Sequence, residues 1–214
     1  MSNTQLVKII SRVPTNKKVI TITFDDGPHP VNTMQALNVL KKYGVKATFF
    51  VVGSQVEKHP DIAKRLVRED HEIGNHTYTH VNLEEMKTET ILEELTKTQE
   101  IILKATGHKP VLFRPPYLHY RKNYDAIIKA IHSINCSIIL CTYSTGDYRM
   151  PGVNSIIQSA SKMSNGDILL LHDGGGDRSQ TVEALDKIIQ SYQQKGFAFV
   201  TVSELLKYSP TEIE

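Results

Sequence analysis

The stretch "ITFDDGPHP" (22–30) ends an apolar run in two adjacent acids, Asp25 and Asp26, followed at once by Gly27 and Pro28. Two carboxylates at one strand end repel each other and lose water, so a fold keeps them only where something compensates. Farther along, "HTYTH" (76–80) sets His76 and His80 four apart, the spacing that puts two imidazoles on one side of a helical turn. By itself a His-x3-His pair says little. Joined to an aspartate that follows a strand, it makes a set of two His and one Asp, which suits zinc or a similar divalent ion with a position left for water. On this reading Asp26 is neutralised by coordinating the metal, and Asp25 stays near enough to take a proton from the activated water. Asp before Gly-Pro is also good turn chemistry. That accounts for the Gly and the Pro but not for two acids closing an apolar run.

Elements that could position these groups alternate along the whole chain. Strand-like "KVITITF", "KATFFVVG", "HEIGN", "PVLFR", "SIILCTY", "DILLLH" and "FAFVTV" are separated by helix-like segments. One of these is the stretch from Glu84 to about Ala105, stopped by Gly107. Another is "TVEALDKIIQSYQQK", where Val182, Leu185, Ile189 and Tyr192 recur at helical spacing before Gly196. This predicts about seven β/α units in a single domain, bounded as an N-terminal segment (1–18), a folded domain (19–207) and a C-terminal tail (208–214). Several strands are continuous apolar runs, as expected of parallel strands covered on both faces. Asp25, His76, Arg114, Asp147 and His172 each fall just past the end of a different strand. A parallel barrel gathers its reactive groups in that way, whereas an open sheet collects them near one switch point. The expected fold is therefore α/β, an incomplete parallel (β/α)7 barrel.

Composition narrows the function. The chain has 214 residues, 40% hydrophobic and 22% charged, with a formal net charge of +2. Without a concentrated positive run, neither nucleic acid nor an anionic membrane is expected as a partner. No stretch approaches a membrane span, and the first residues lack the apolar core of a secretory signal. This fits a cytoplasmic protein or the catalytic part of an exported one, and a monomer is expected. Cys136 and Cys141 read as one strand, where they would lie roughly 16 Å apart, beyond disulfide reach.

Five segments, "TFDDGP" (23–28), "HTYTH" (76–80), "FRPPY" (113–117), "GDY" (146–148) and "LLLHD" (169–173), occur in the order and spacing of the motifs of the NodB-homology polysaccharide deacetylases, carbohydrate esterase family 4, which the chain resembles from about Val19 to Lys207. The resemblance implies a (β/α)7 barrel that removes acetyl groups from N-acetylglucosamine units of a peptidoglycan or chitooligosaccharide type glycan. It implies one divalent metal, zinc first and cobalt or manganese as alternatives, held by Asp26, His76 and His80. Asp25 is then the catalytic base, with Arg114 orienting it. His172 becomes the general acid, tuned by Asp147. The backbone N–H of Tyr117 would help bind the oxyanion, and Leu170 would line the pocket for the acetyl methyl. The family commonly has Trp after the Asp of the fourth motif; here Tyr148 stands there and the chain has no Trp, which alters the stacking wall but not the chemistry.

Blander roles exist for each residue. Arg114 could pair with any acid, and His172 could be a satisfied core histidine, although Asp173 and the glycines after it suggest an exposed rim. Tyr117, Tyr120, Tyr143 and Tyr148 could stack on sugar or simply pack. His29, His59, His71, His108, His119 and His132 are assigned to surface or packing. Rival functions are an O-acetyl esterase acting on xylan, a non-catalytic sugar-binding relative, and a non-haem iron oxygenase using the same two-His-one-carboxylate set.

Overall fold

The computed structural model describes residues 7–210. Among the described residues nine parallel strands form: β1 (Ile9–Ile10), β2 (Val19–Asp25), β3 (Thr48–Val51), β4 (Glu72–Asn75), β5 (Leu112–Phe113), β6 (Ser137–Ile139), β7 (Tyr143–Ser144), β8 (Ile168–His172) and β9 (Ala198–Phe199). Eight run in the order β1-β6-β5-β4-β3-β2-β8-β7, and β9 pairs with the start of β2. Helices α1 (Asn32–Tyr43), α2 (Gly53–Lys58), α3 (Pro60–Arg68), α4 (Thr88–Thr106), α5 (Tyr124–Ser133), α6 (Val153–Ala160), α7 (Ser179–Gln194) and α8 (Val202–Leu206) link them. The sheet curls into the incomplete (β/α)7 barrel expected from the sequence.

Strand β2 shows why it curls and what it carries. All seven of its residues are buried, and they alternate between two cores. Ile20, Ile22 and Phe24 face outward into a layer shared with Leu37 and Leu40 of α1 and Leu185 and Ile189 of α7. Val19 faces inward with Phe50, Leu112, Ile139 and Ile168. The same inward register carries Thr21, Thr23 and, at the mouth, Asp25. Val202 and Leu205 of α8 join that inner core. The α8 N-terminus is tied to the starts of β3 and β4, where Val202 N donates to Thr48 Oγ1 (2.9 Å) and Ser203 N to Glu72 Oε2 (3.1 Å). The barrel thus has a plugged floor and an open mouth at the strand C-termini.

Three local expectations change. The run "SIILCTY" is two strands, because the chain crosses the barrel seam within it: β6 pairs with β1 and β7 with β8. Cys136 and Cys141 flank β6 and are both free. The helix expected from Glu84 begins at Thr88, after a separate 3-10 turn at Leu83–Glu85. The Glu84 carboxylate instead accepts from Arg121 N (2.8 Å) and Lys122 N (2.9 Å). Finally, Ile9–Ile10, within the expected N-terminal segment, adds a strand beside β6; residues 1–6 and 211–214 of the two expected end segments lie outside the described residues.

Candidate active site

Asp25 and Asp26 both face the mouth, although consecutive strand residues normally point to opposite sides. The backbone of Asp26 breaks the alternation with φ 76°, a left-handed conformation that Asp tolerates better than most residues. Glycines make room for it. A Cβ at Gly174 would strike the main-chain carbonyl of Asp26, and one at Gly27 the Asp173 carboxylate. Because backbone cannot swing aside, Gly174→Ala is expected to destabilise the fold by about 1–3 kcal/mol, seen as a lower thermal midpoint; an unchanged midpoint would mean the loop repacks freely.

His76 follows β4, and the segment to His80 is not the helical turn its spacing suggests. Thr77 and His80 have positive φ (66° and 60°), and the loop is shaped from outside. Glu94 of α4 accepts from Tyr78 N and Thr79 N, both at 2.8 Å, and from Thr79 Oγ1 at 2.9 Å. Asn75 Oδ1 accepts from Thr77 N (2.9 Å), and Thr77 Oγ1 from His80 N (3.0 Å). The two imidazoles still meet, with ring centroids 5.0 Å apart.

One ligand atom each from Asp26, His76 and His80 lies within 4.8 Å of the other two. Asp26 Oδ1 is 3.1 Å from His80 Nε2 and 3.6 Å from His76 Nε2. Tetrahedral ligands at about 2.0–2.1 Å from an ion are about 3.3 Å apart, so the spacing fits a shared cation. Two details support that fit. Buried Asp26 Oδ1 faces the two ring nitrogens and has no other hydrogen-bond partner, as befits an oxygen converging with them on one point. His76 Nδ1 lies 2.7 Å from the Arg114 carbonyl, which places the proton on Nδ1 and leaves Nε2 free to ligate. Burial alone would raise the pKa of Asp26, but the His76 and His80 rings hold it well below the usual carboxylate range. It therefore stays ionised, as a ligand must.

Arg114 is fully buried at the barrel mouth, its guanidinium 4.1 Å above the Phe50 ring. Its Nη1 donates to Asp25 Oδ1 (2.8 Å) and Thr23 Oγ1 (2.7 Å), Nε to Ile139 O (3.1 Å) and Nη2 to Leu140 O (2.9 Å). This fork holds Asp25 with its other oxygen 3.8 Å from His76 Nε2.

On the opposite wall His172 ends β8. Its Nδ1 lies 2.7 Å from Asp147 Oδ1, and its main-chain N donates to Asp147 Oδ2 (2.8 Å), which also accepts from Thr181 Oγ1 (2.9 Å). Burial would depress the His172 pKa, but the Asp147 hydrogen bond and charge, with the Asp25 and Asp26 charges, raise it above its ordinary value. Tyr148, 45% exposed, meets the His172 ring edge at 5.2 Å. Across the mouth Tyr117, 60% exposed, packs against His80 at 4.9 Å.

Asp25, Asp26, His76, His80, Tyr117, Tyr148 and His172 line one cleft of about 510 Å³, with Leu170 in its wall, whereas Arg114 and Asp147 do not line it. The cleft also brings in His119, assigned to surface or packing from the sequence, together with Leu118, Ser144, Gly175 and Arg178. Asp173 is not on an exposed rim: it is 2% exposed and accepts a 2.5 Å hydrogen bond from Thr33 Oγ1. Burial, then the Asp26 and Asp25 charges, push its carboxyl up to about 7 against that hydrogen bond. Its place directly after His172 was the signal for it. No local pattern marks Arg178 or His119.

A curled parallel barrel with a carboxylate-and-histidine cluster at its mouth is an arrangement able to hold a divalent ion and support hydrolysis. Residues 12–133 match the profile of the polysaccharide deacetylase family, and the chain belongs to it. A peptidoglycan-N-acetylglucosamine deacetylase of Bacillus cereus is 42% identical over 201 residues, covering 92% of both chains. The solved structure of a peptidoglycan N-acetylglucosamine deacetylase, in complex with 4-naphthalen-1-yl-N-oxidanyl-benzamide, superposes with a TM-score of 0.88 at 35% identity, covering 94% of both chains. A pseudoenzyme of carbohydrate esterase family 4 from Bacillus anthracis superposes with a TM-score of 0.87 at 31% identity, covering 97% of this chain and 72% of the other.

Proposed function

We propose that the protein hydrolyses the acetamide of N-acetylglucosamine units in a peptidoglycan-type glycan, with one divalent ion, zinc by preference, held by Asp26, His76 and His80. The observation that carries this is the convergence of those three side chains beside a separately anchored carboxylate, Asp25, and a carboxylate-bound imidazole, His172. Kinship with the Bacillus cereus enzyme supports the choice of sugar. When bound, the ion supplies Lewis-acid polarisation of the acetyl carbonyl and a water of lowered pKa.

The chain's own groups do the rest. Asp25, fixed by Arg114, accepts the proton of the attacking water. The Tyr117 main-chain N–H donates to the carbonyl oxygen as it becomes an oxyanion, a contact worth about 2.7–4 kcal/mol in other enzymes. An amine leaves poorly as an anion, so His172, held protonated by Asp147, delivers a proton to nitrogen as the C–N bond breaks. Leu170 meets the acetyl methyl, and Tyr148 offers a flat face to a sugar ring in place of the larger Trp.

Acetate release from an N-acetylglucosamine oligomer tests this reading. Release is expected with the metal present, lost on chelation and restored by zinc, cobalt or manganese. Because the family includes a pseudoenzyme of the same fold, silence under all three metals would remove the enzymatic reading altogether. Faster release from acetylated xylan would redirect it to an ester.

A further inference from the structure

Arg178 takes no part in the chemistry above, yet it is 4% exposed and lines the cleft. A buried guanidinium costs several kcal/mol unless its donors are satisfied, and here they are met by main-chain carbonyls. Nε donates to Gly174 O (2.8 Å), Nη2 to Gly175 O (2.9 Å), and Nη1 to Asp177 O (3.1 Å) and, more weakly, to Tyr148 O (3.4 Å). These carbonyls belong to two different loops. One follows β7 and carries Asp147 and Tyr148. The other follows β8 and its His172, and packs on Asp26 through Gly174. At Gly175 the missing Cβ would sit 3.2 Å from both Arg178 Nη2 and Asp26 Oδ2, so the guanidinium reaches that glycine loop from the side facing the metal ligand.

We propose that Arg178 is a positioning residue that fastens the Asp147–Tyr148 loop to the glycine loop packed on Asp26, keeping the sugar-facing wall at a fixed spacing from the ligand cluster. The planar guanidinium spreads donors on three nitrogens toward carbonyls of both loops in a fixed fork, a span that the compact ammonium of lysine does not reproduce. The consequence for sugar binding rests on the deacetylase reading; the coupling of the two loops does not.

Amide hydrogen exchange on the full chain with Arg178→Ala and Arg178→Lys separates the two. Exchange is expected to quicken about tenfold or more in both 146–150 and 173–177, with α4 and α5 unchanged. Faster exchange in one segment alone, or in neither, would overturn the coupling. The Lys variant keeps the cation and the stem, so it decides the matter should the Ala variant fail to fold. In the acetate assay the KM for an N-acetylglucosamine tetramer is expected to rise about fivefold, with a smaller fall in kcat. A fall in kcat at unchanged KM would mean that Arg178 only props the fold. A wild-type chain that releases no acetate would sink the deacetylase reading while the exchange result still decides the coupling.

Discussion

Asp25→Asn is expected to keep its metal and lose its turnover. The substitution preserves shape: an Asn side-chain oxygen can still accept from Arg114 Nη1, which lies 2.8 Å from Asp25 Oδ1, so the fork that anchors this position survives. What disappears is the basic carboxylate, and removing a positioned base costs about 10²–10⁴ in rate. Asp26→Ala is a different experiment. It deletes the buried oxygen on which His76 and His80 converge, leaving two imidazoles, one of them 28% exposed, to hold a divalent ion. Metal content should then fall along with activity. Elemental analysis of both purified variants, set beside acetate release, checks the division of labour. An empty site in Asp25→Asn would mean that the two acids share the ligand role, and full metal in Asp26→Ala would mean that the cluster binds no ion through that oxygen.

The reach of sequence over this molecule follows from which contacts are local. Helix α7 repeats buried Leu185, Ile188, Ile189 and Tyr192 on one face, and that periodicity is written in the chain itself. The buried strand β8 likewise reads as a local apolar run, Ile168–Leu171, because both of its faces are covered. The motif residues converge on one cleft because each motif lies at a strand end, and strand ends share one rim in a parallel barrel. Other features were hidden in distant partners. Nothing within "HTYTH" announces that Glu94, sixteen residues on, will take two of its amides and prevent a helical turn. The break between β6 and β7 accompanies the capture of the Ile139 and Leu140 carbonyls by Arg114. Strand β1 is only two residues long, too short for any pattern, and exists because β6 leaves an edge for it. His119 reaches the cleft through the positive-φ residues Tyr117 and Leu118, a backbone turn that no spacing rule anticipates.

Asp147→Asn should move the alkaline limb of the activity profile to lower pH. In the proposed reaction His172 must carry a proton in order to deliver one to the leaving amine. Its pKa lies above the ordinary 6.5 because the Asp147 bond and charge, with the Asp25 and Asp26 charges, outweigh burial. Activity is therefore retained through neutrality and lost as pH rises through that raised value. A divalent ion held by Asp26, His76 and His80 would offset the Asp26 charge, leaving Asp147, 2.7 Å from Nδ1, as the dominant partner. With Asn in its place the burial penalty prevails, and the imidazole loses its proton earlier in the titration. The rate near neutral pH should fall about 10²-fold, within the range for a displaced general acid, and recover in part as the pH is lowered. A stability effect alone would not produce this pattern, since lowering the pH would not restore activity to a chain that is merely less folded. Profiles of kcat/KM for wild type and variant, measured at saturating metal, decide it: a limb that stays in place would show that His172 is not the group losing its proton.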